Sequence, residues 1–268
     1  MPAPQPIGRR LATLRRWLLA TFVPEFVWPK DFELDGVPIP VRGSPYSFGV
    51  KRLLCSGDYE KPERQLVDRI LRPGMNVVEM GGSIGVLTAI IASRIQPGGS
   101  LVSVEAAEDL VAYSRTWLER RFPHVKIVQG YAFPVLRLPA GLVVHHFDNH
   151  GVSLGGQVAY TVSPDATAAS AADNKTYDIA MLCSRNNVPP PDVLVADIEG
   201  AEAVLLVQGV QLPPSIRHVV IELHPGLYAG KTGDRDRLIR FFEEQGLPLV
   251  ERAGESYLFS RGGSATKA

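Results

Sequence analysis

Between Met75 and Gly130 the chain repeats a pattern that few folds can satisfy. "MNVVEM" is a short apolar run that ends at a glycine turn. "SIGVLTAIIASRI" then sets Ile84, Leu87, Ile91 and Ile95 at helical spacing, and "SLVSVE" is a second short apolar run. A helical "EDLVAYSRTWLERRF" and a third run, "VKIVQG", extend the alternation. The period changes from that of a buried strand to that of a helix and back. Short apolar strands separated by helices pair in parallel, with helices on both faces of the sheet. The expected fold is therefore α/β, a Rossmann-like doubly wound sheet.

The pattern resumes further on. "DVLVAD" and "RHVVIEL" read as buried strands with a helix, "AEAVLLVQ", between them. A helix is expected over Asp234 to Gln245, stopped by Gly246, and "LPLVER" and "SYLFSR" form a terminal antiparallel hairpin around Ala253-Gly254. From about 131 to 191 the rhythm fails. That length is too great for a structureless loop in one domain, so small strands are expected in "GLVVHHF" and "QVAYTVS". Ahead of the sheet, "FELDGVPIPV" carries an Asp35-Gly36 hairpin signal, with Pro38 and Pro40 confining the second arm to an edge. A helix follows from Lys61 to Leu71. The domain reading is an N-terminal extension over 1–57, a catalytic domain over 58–262 with an insertion at about 131–191, and a disordered tail over 263–268.

Composition narrows the function class. The 268 residues carry 28 basic and 28 acidic side chains, a formal net charge of zero. A dedicated nucleic-acid binder needs a basic face to replace phosphate counterions, and this balance argues against one. Cys55 and Cys183 form no CxxC and read as free thiols in a reducing compartment. "WLLATFVPEFVW" is broken by Pro24 and Glu25, too short for a membrane span and followed by no cleavage signal. The chain is therefore expected in the cytoplasm. Residues 9–22 form an amphipathic helix, with Leu11, Leu14, Leu18 and Phe22 on one side and arginines opposite. It either packs on the domain, which is favoured, or touches a membrane surface or partner.

The most informative stretch is "VVEMGGSIGVLT". A strand ends, glycines turn the chain, and a helix opens with its free N–H groups facing the turn. The next strand ends on Glu105, where a carboxylate can accept hydrogen bonds from both ribose hydroxyls. Gly81, Gly82 and Gly85 do not give the G-x-G-x-x-G register of a dinucleotide site. Glu79, in the last turn of the strand, would repel a pyrophosphate and attract the ammonium of a methionine tail. The reading is S-adenosyl-L-methionine, with Glu79, Gly81, Gly82, Ser83, Gly85, Glu105, Ala106 and Asp197 as the cofactor contacts and S-adenosyl-L-homocysteine as product.

"VVEMGGSIGVLTAI", "VSVEAAEDL", "DVLVADIEGAEAVLL" and "HVVIELHP" resemble the successive motifs of FkbM-type methyltransferases, a class I S-adenosylmethionine-dependent family. The resemblance covers about Asp58 to Pro225, and "DIEGAE" is its most specific block. This chain departs from the family's Asp at Glu79, its Ala-Asn at Gly82-Ser83 and its Pro at Ala106. The resemblance implies a seven-stranded sheet with an antiparallel last strand, and methyl transfer to a hydroxyl oxygen of a sugar, glycan or other small natural product.

The strand carrying Leu194, Val195 and Ala196 delivers Asp197, Glu199 and Glu202 at its end, and the next strand delivers Glu222 and His224. Residues two apart on an extended strand face the same way, so Asp197, Glu199, Glu222 and His224 are the candidate catalytic group. Glu199 or His224 is the expected base, with Asp197 orienting acceptor or cofactor. Carboxylates with one imidazole suit Mg²⁺ or Mn²⁺, but the spacing demands no metal and none is assigned. His145, His146, Asp148 and His150 match no familiar metal spacing and read as a polar segment near the acceptor. Two rivals stay open: an NAD(P)-dependent oxidoreductase, and a non-catalytic docking module. Oligomeric state is not legible.

Overall fold

A computed structural model describes residues 24–139, 142–147, 157–162, 175–224 and 234–262. The helix expected over 9–22, the tail over 263–268, and Asp148 and His150 lie outside them. The chain divides into two units, Met1–Lys61 and Pro62–Ala268.

In the first unit, β1 (Asp31–Leu34) and β2 (Val37–Pro40) form the expected hairpin. Asp35 and Gly36 both take positive φ, +50° and +80°, as a two-residue turn matched to strand twist requires. Helix α1 (Phe48–Ser56) begins where the Ser47 side chain accepts the Val50 N–H, and ends at left-handed Gly57.

The second unit opens with α2 (Lys61–Ile70) and is built on a seven-stranded sheet. Its strands are β3 (Asn76–Met80), β4 (Ser100–Glu105), β5 (Val125–Gln129), β10 (Val193–Ala196), β11 (His218–Glu222), β12 (Leu249–Ala253) and β13 (Ser256–Ser260). They lie in the order β12-β13-β11-β10-β3-β4-β5. The β5-β4-β3-β10-β11 pairs are parallel, and β13 is antiparallel to both neighbours. This is the mostly parallel class I methyltransferase arrangement that the resemblance implied. Helices α3 (Val86–Arg94) and α4 (Glu108–Arg121) make the expected crossovers, and α6 (Asp234–Glu244) precedes the closing hairpin.

Strands buried on both faces explain the apolar runs: Val193 to Ala196 are all buried, as are Val77 to Met80. One continuous core joins Val102, Leu194 and Val219 of the sheet to Leu238 and Phe242 of α6. Each such side chain contributes about 1.5–3 kcal/mol of burial.

Two elements differ from expectation. The "AEAVLLVQ" segment is a 3₁₀ helix, Ala201–Leu206, not an α-helix. It is enclosed by left-handed Gly200 and Gly209, and its six residues exceed the usual length of a 3₁₀ run. The middle segment also regains the sheet's rhythm sooner than its sequence suggests. After β6 (Tyr131–Ala132), β7 (Leu142–Phe147), β8 (Gln157–Val162) and β9 (Thr176–Tyr177), helix α5 (Ile179–Asn186) leads into β10. β7 and β8 pair as an antiparallel hairpin, the two small strands expected there. α5 was not foreseen, because "IAMLC" is too short to show a helical period. Its signals are its caps: the Asp178 side chain accepts the Met181 N–H, and Asn187 takes φ +53°.

Candidate active site

The site lies where β3, β4, β10 and β11 end. Gly81 turns the chain after β3 at φ +88°. A Cβ there would lie 1.7 Å from the Asp197 carbonyl oxygen, so only glycine lets this turn pass the end of β10. Gly81 and Gly82 both donate to the Val104 carbonyl, at 2.8 and 3.0 Å, and Gly85 donates to the Gly82 carbonyl at 2.8 Å. Ser83, itself left-handed at φ +46°, donates its N–H to Glu105 Oε2 at 2.9 Å. Glu105 Oε1 accepts the Ala107 N–H at 2.8 Å. The carboxylate is thus fixed from two sides. Burial raises its pKa, while these N–H bonds pull it back. Each of its oxygens keeps a lone pair for a further donor, the demand that a ribose diol makes.

Glu105 forms part of a cleft that opens to solvent at the carboxyl ends of the strands, the place where open α/β sheets bind ligands. Gly81, Val104, Ala106, Gly130, Tyr131, Ala132, Phe133, Asp197, Ile198, Glu199 and Ala201 complete it. Three of these lining residues are acids and none is basic. The N–H groups of Gly81, Gly82, Ser83 and Gly85 are all engaged inside the protein. A pyrophosphate needs such donors free and cations near it; a sulfonium with an ammonium tail needs carboxylates. The residues present fit S-adenosylmethionine: Glu105 for the ribose, Val104, Ala106 and Phe133 for the adenine, Asp197 for the cationic end.

Beside this cleft stands the acid–histidine cluster. His224, just beyond β11, donates its backbone N–H to Glu202 Oε1 at 2.8 Å, and its Nδ1 lies 3.0 Å from the same oxygen. Glu202 is fully buried, and its Oε2 accepts the Gly200 N–H at 2.9 Å. The His224 Nε2 is thereby turned toward Asp197 Oδ1 (3.5 Å), Glu199 Oε2 (3.7 Å) and Glu222 Oε1 (3.8 Å). Burial opposes charge on His224, but the Glu202 bond and the surrounding carboxylates outweigh it and raise its pKa to about 9. Burial and the neighbouring Glu222 hold the Asp197 carboxyl well above its ordinary range. Burial likewise raises Glu222.

The structure brings Asp197, Glu199, Glu222 and His224 together, though by a different route from strand alternation. β10 stops at Ala196, and Glu199 sits at φ +47° in a turn. That is a sparsely populated backbone for a side chain of this kind, as functional sites often hold. Gly81, Glu105, Ala106 and Asp197 line the cleft, and Gly82, Ser83 and Gly85 are not among its lining residues. A Cβ on Gly85 would lie 2.6 Å from Leu118 of α4, so that glycine serves helix packing.

Glu79 is corrected. It was expected to meet the methionine ammonium, but it is 1% exposed and is not among the residues that line the cleft. Its Oε2 accepts the Thr88 hydroxyl at 2.6 Å, and burial raises its pKa to about 7. The alternation of side chains along β3 sets its direction toward Thr88. Three participants escaped the sequence reading. Glu202 was seen in "DIEGAE" without a role, although it orients His224. Gly130 and Phe133 belong to a loop after β5 whose signal is Gly130 at φ +149°, where a Cβ would lie 2.2 Å from the Lys175 carbonyl. His145 and His146 lie on β7.

Comparison with known proteins matches the first half of this domain to methyltransferases. The family described as protein-L-isoaspartate(D-aspartate) O-methyltransferase matches residues 60–131. A protein-L-isoaspartate O-methyltransferase of Methanothrix thermoacetophila is 33% identical over 110 residues, 41% of this chain and 47% of that protein. The chain thus spans about half the length of this curated relative. Solved structures with a similar fold include a Methanococcus jannaschii fibrillarin pre-rRNA processing protein (11% identity, TM-score 0.44, 76% of this chain and 77% of that one). Another is the Synechocystis magnesium protoporphyrin IX methyltransferase with bound S-adenosylmethionine (11% identity, TM-score 0.42, 83% and 88%). The fold itself rests on the chain's own sheet, whose strand order and antiparallel β13 are those of the class I methyltransferase arrangement. The matched segment 60–131 holds the glycine turn and Glu105 but none of the acid–histidine cluster.

Proposed function

We propose that the chain is an S-adenosylmethionine-dependent methyltransferase acting on a hydroxyl of a sugar, glycan or other small molecule, in the manner of the FkbM-type enzymes its motifs resemble. One observation carries this reading: the Glu105 cleft and the Asp197–Glu199–Glu222–His224 cluster share one crevice, with Asp197 and Glu199 common to both. The cofactor supplies an electrophilic methyl on a sulfonium and leaves as S-adenosylhomocysteine. The chain's own residues do the rest. Glu105 holds the ribose, and Asp197 places its charge beside the cationic end. Glu199, about a third exposed, reaches the cleft and accepts the acceptor hydroxyl proton, a role that typically contributes about 10²–10⁴-fold. His224, held by Glu202, keeps these carboxylates from repelling one another. The two unpaired cysteines suit the cytoplasm as the site of reaction.

A second reading has the isoaspartyl carboxylate of a damaged protein as acceptor, favoured by the match over residues 60–131. The match stops before the cluster, so it gives no account of Asp197, Glu199, Glu222 and His224. An acceptor comparison separates the two. Methyl transfer from labelled cofactor to a panel of sugars and glycosides, lost in Glu199→Gln, supports the hydroxyl reading. Transfer to an isoaspartyl peptide, indifferent to Glu199→Gln, overturns it.

A further inference from the structure

We propose that Asp197, Glu199 and His224 form a divalent-cation site, suited to Mg²⁺ or Mn²⁺, at which the acceptor oxygen is held. Their donor atoms all lie within 4.8 Å of one another. The Nε2 distances of 3.5 Å to Asp197 Oδ1 and 3.7 Å to Glu199 Oε2 are too long for hydrogen bonds. They fall instead between the cis and trans separations of ligands around one ion. At a metal–ligand distance of about 2.1 Å those separations are about 3.0 and 4.2 Å. The two distances to Nε2 are those that shared coordination of one ion would give, and the three atoms lie close enough together to share it.

Two independent observations point the same way. Asp197 Oδ1 is itself closed off from solvent and accepts no hydrogen bond, with His224 Nε2 at 3.5 Å, although the side chain as a whole is 36% exposed; a bound cation would satisfy that oxygen. Glu202, fully buried, accepts from Nδ1 of His224. That fixes the ring with Nε2 toward the centre, as an outer carboxylate does behind a metal-bound imidazole. Glu222 Oε1, 3.8 Å from Nε2, stands beside the centre as proton acceptor. With the cation bound, Glu199 would serve as its ligand, and the hydroxyl proton would pass to Glu222 in place of Glu199. This inference deepens the hydroxyl-acceptor reading and rests on it for function, though cation binding itself does not.

The test uses the full chain, stripped with chelator and titrated with Mn²⁺ while free Mn²⁺ is followed by electron paramagnetic resonance. One Mn²⁺ per chain is expected, displaced by Mg²⁺, lost in Glu199→Gln, and weakened about 10–100-fold in Glu202→Gln. Glu105→Gln should keep the site. S-adenosylhomocysteine binding, measured on the same samples, reports folding and separates the two ideas. If wild type binds S-adenosylhomocysteine but no Mn²⁺ at millimolar concentration, the cation site is refuted and the methyltransferase reading stands. Mn²⁺ binding that survives in Glu199→Gln also refutes it. If Mn²⁺ binds as expected but S-adenosylhomocysteine does not, the site stands and the methyltransferase reading fails.

Discussion

Replacing Glu79 by glutamine should stabilise this protein above pH 7 and leave the cofactor cleft untouched. Glu79 is buried beneath the glycine turn, with one oxygen on the Thr88 hydroxyl and Oε1 without a partner. Burial raises its pKa from 4.5 to about 7. The folded state therefore holds this proton more tightly than the unfolded chain does. Stability from this group is fully present below pH 4.5 and is lost as pH rises through about 7. At about 1.4 kcal/mol per pH unit, the full loss is about 3 kcal/mol, most of it falling between pH 5 and pH 8.5. Glutamine is always neutral and keeps an acceptor for Thr88, so it escapes the loss. The stability of Glu79→Gln relative to wild type should rise by roughly 2–3 kcal/mol between pH 5 and pH 8.5, seen as roughly 5–10 °C in Tm. Denaturant titrations at the two pH values give the difference directly. S-adenosylhomocysteine affinity should change little, because the side chain does not line the cleft. A pH-independent stability difference would refute the burial argument. Loss of ligand binding in a folded variant would restore Glu79 to the site.

Three further outcomes follow from the geometry. Gly81→Ala places a Cβ against the Asp197 carbonyl oxygen, so β3 and β10 must separate at their ends; destabilisation of about 3 kcal/mol or more is expected, measurable by denaturant melting. Glu202→Ala leaves the Gly200 and His224 N–H groups buried without their acceptor. It should cost about 3–5 kcal/mol, with Glu202→Gln recovering part. The Glu202 change should also move the His224 titration, followed by its ring proton resonances, from about 9 toward the ordinary 6.5.

The sheet was legible because its strands are buried on both faces, and a run such as Leu194-Val195-Ala196 can hardly be anything else. Turns were legible where chemistry forces them, as at Asp35-Gly36. The acid–histidine cluster was legible as a set of residues, but the reason for its convergence was not. Strand alternation accounts for neither pair, because β10 ends at Ala196 and β11 at Glu222, and Glu199 and His224 both lie beyond those ends. Burial direction is a tertiary fact, so Glu79 read as a ligand contact when it is a packed group. Helix α5 hid because eight residues carry too little periodicity, although Asp178 and Asn187 mark its ends. Glu202 hid for another reason: its partner, His224, is distant in sequence and meets it only once β10 and β11 pair.

The account rests on an acidic cleft that selects a cationic adenosyl cofactor through Glu105. Calorimetric titration with S-adenosylhomocysteine, with NADH and NADPH alongside, tests this most directly. Binding of S-adenosylhomocysteine in the micromolar range, abolished in Glu105→Ala, with no heat from either nicotinamide, is the predicted result. A folded protein that prefers NADH or NADPH, or that binds S-adenosylhomocysteine equally well without the Glu105 carboxylate, would contradict it.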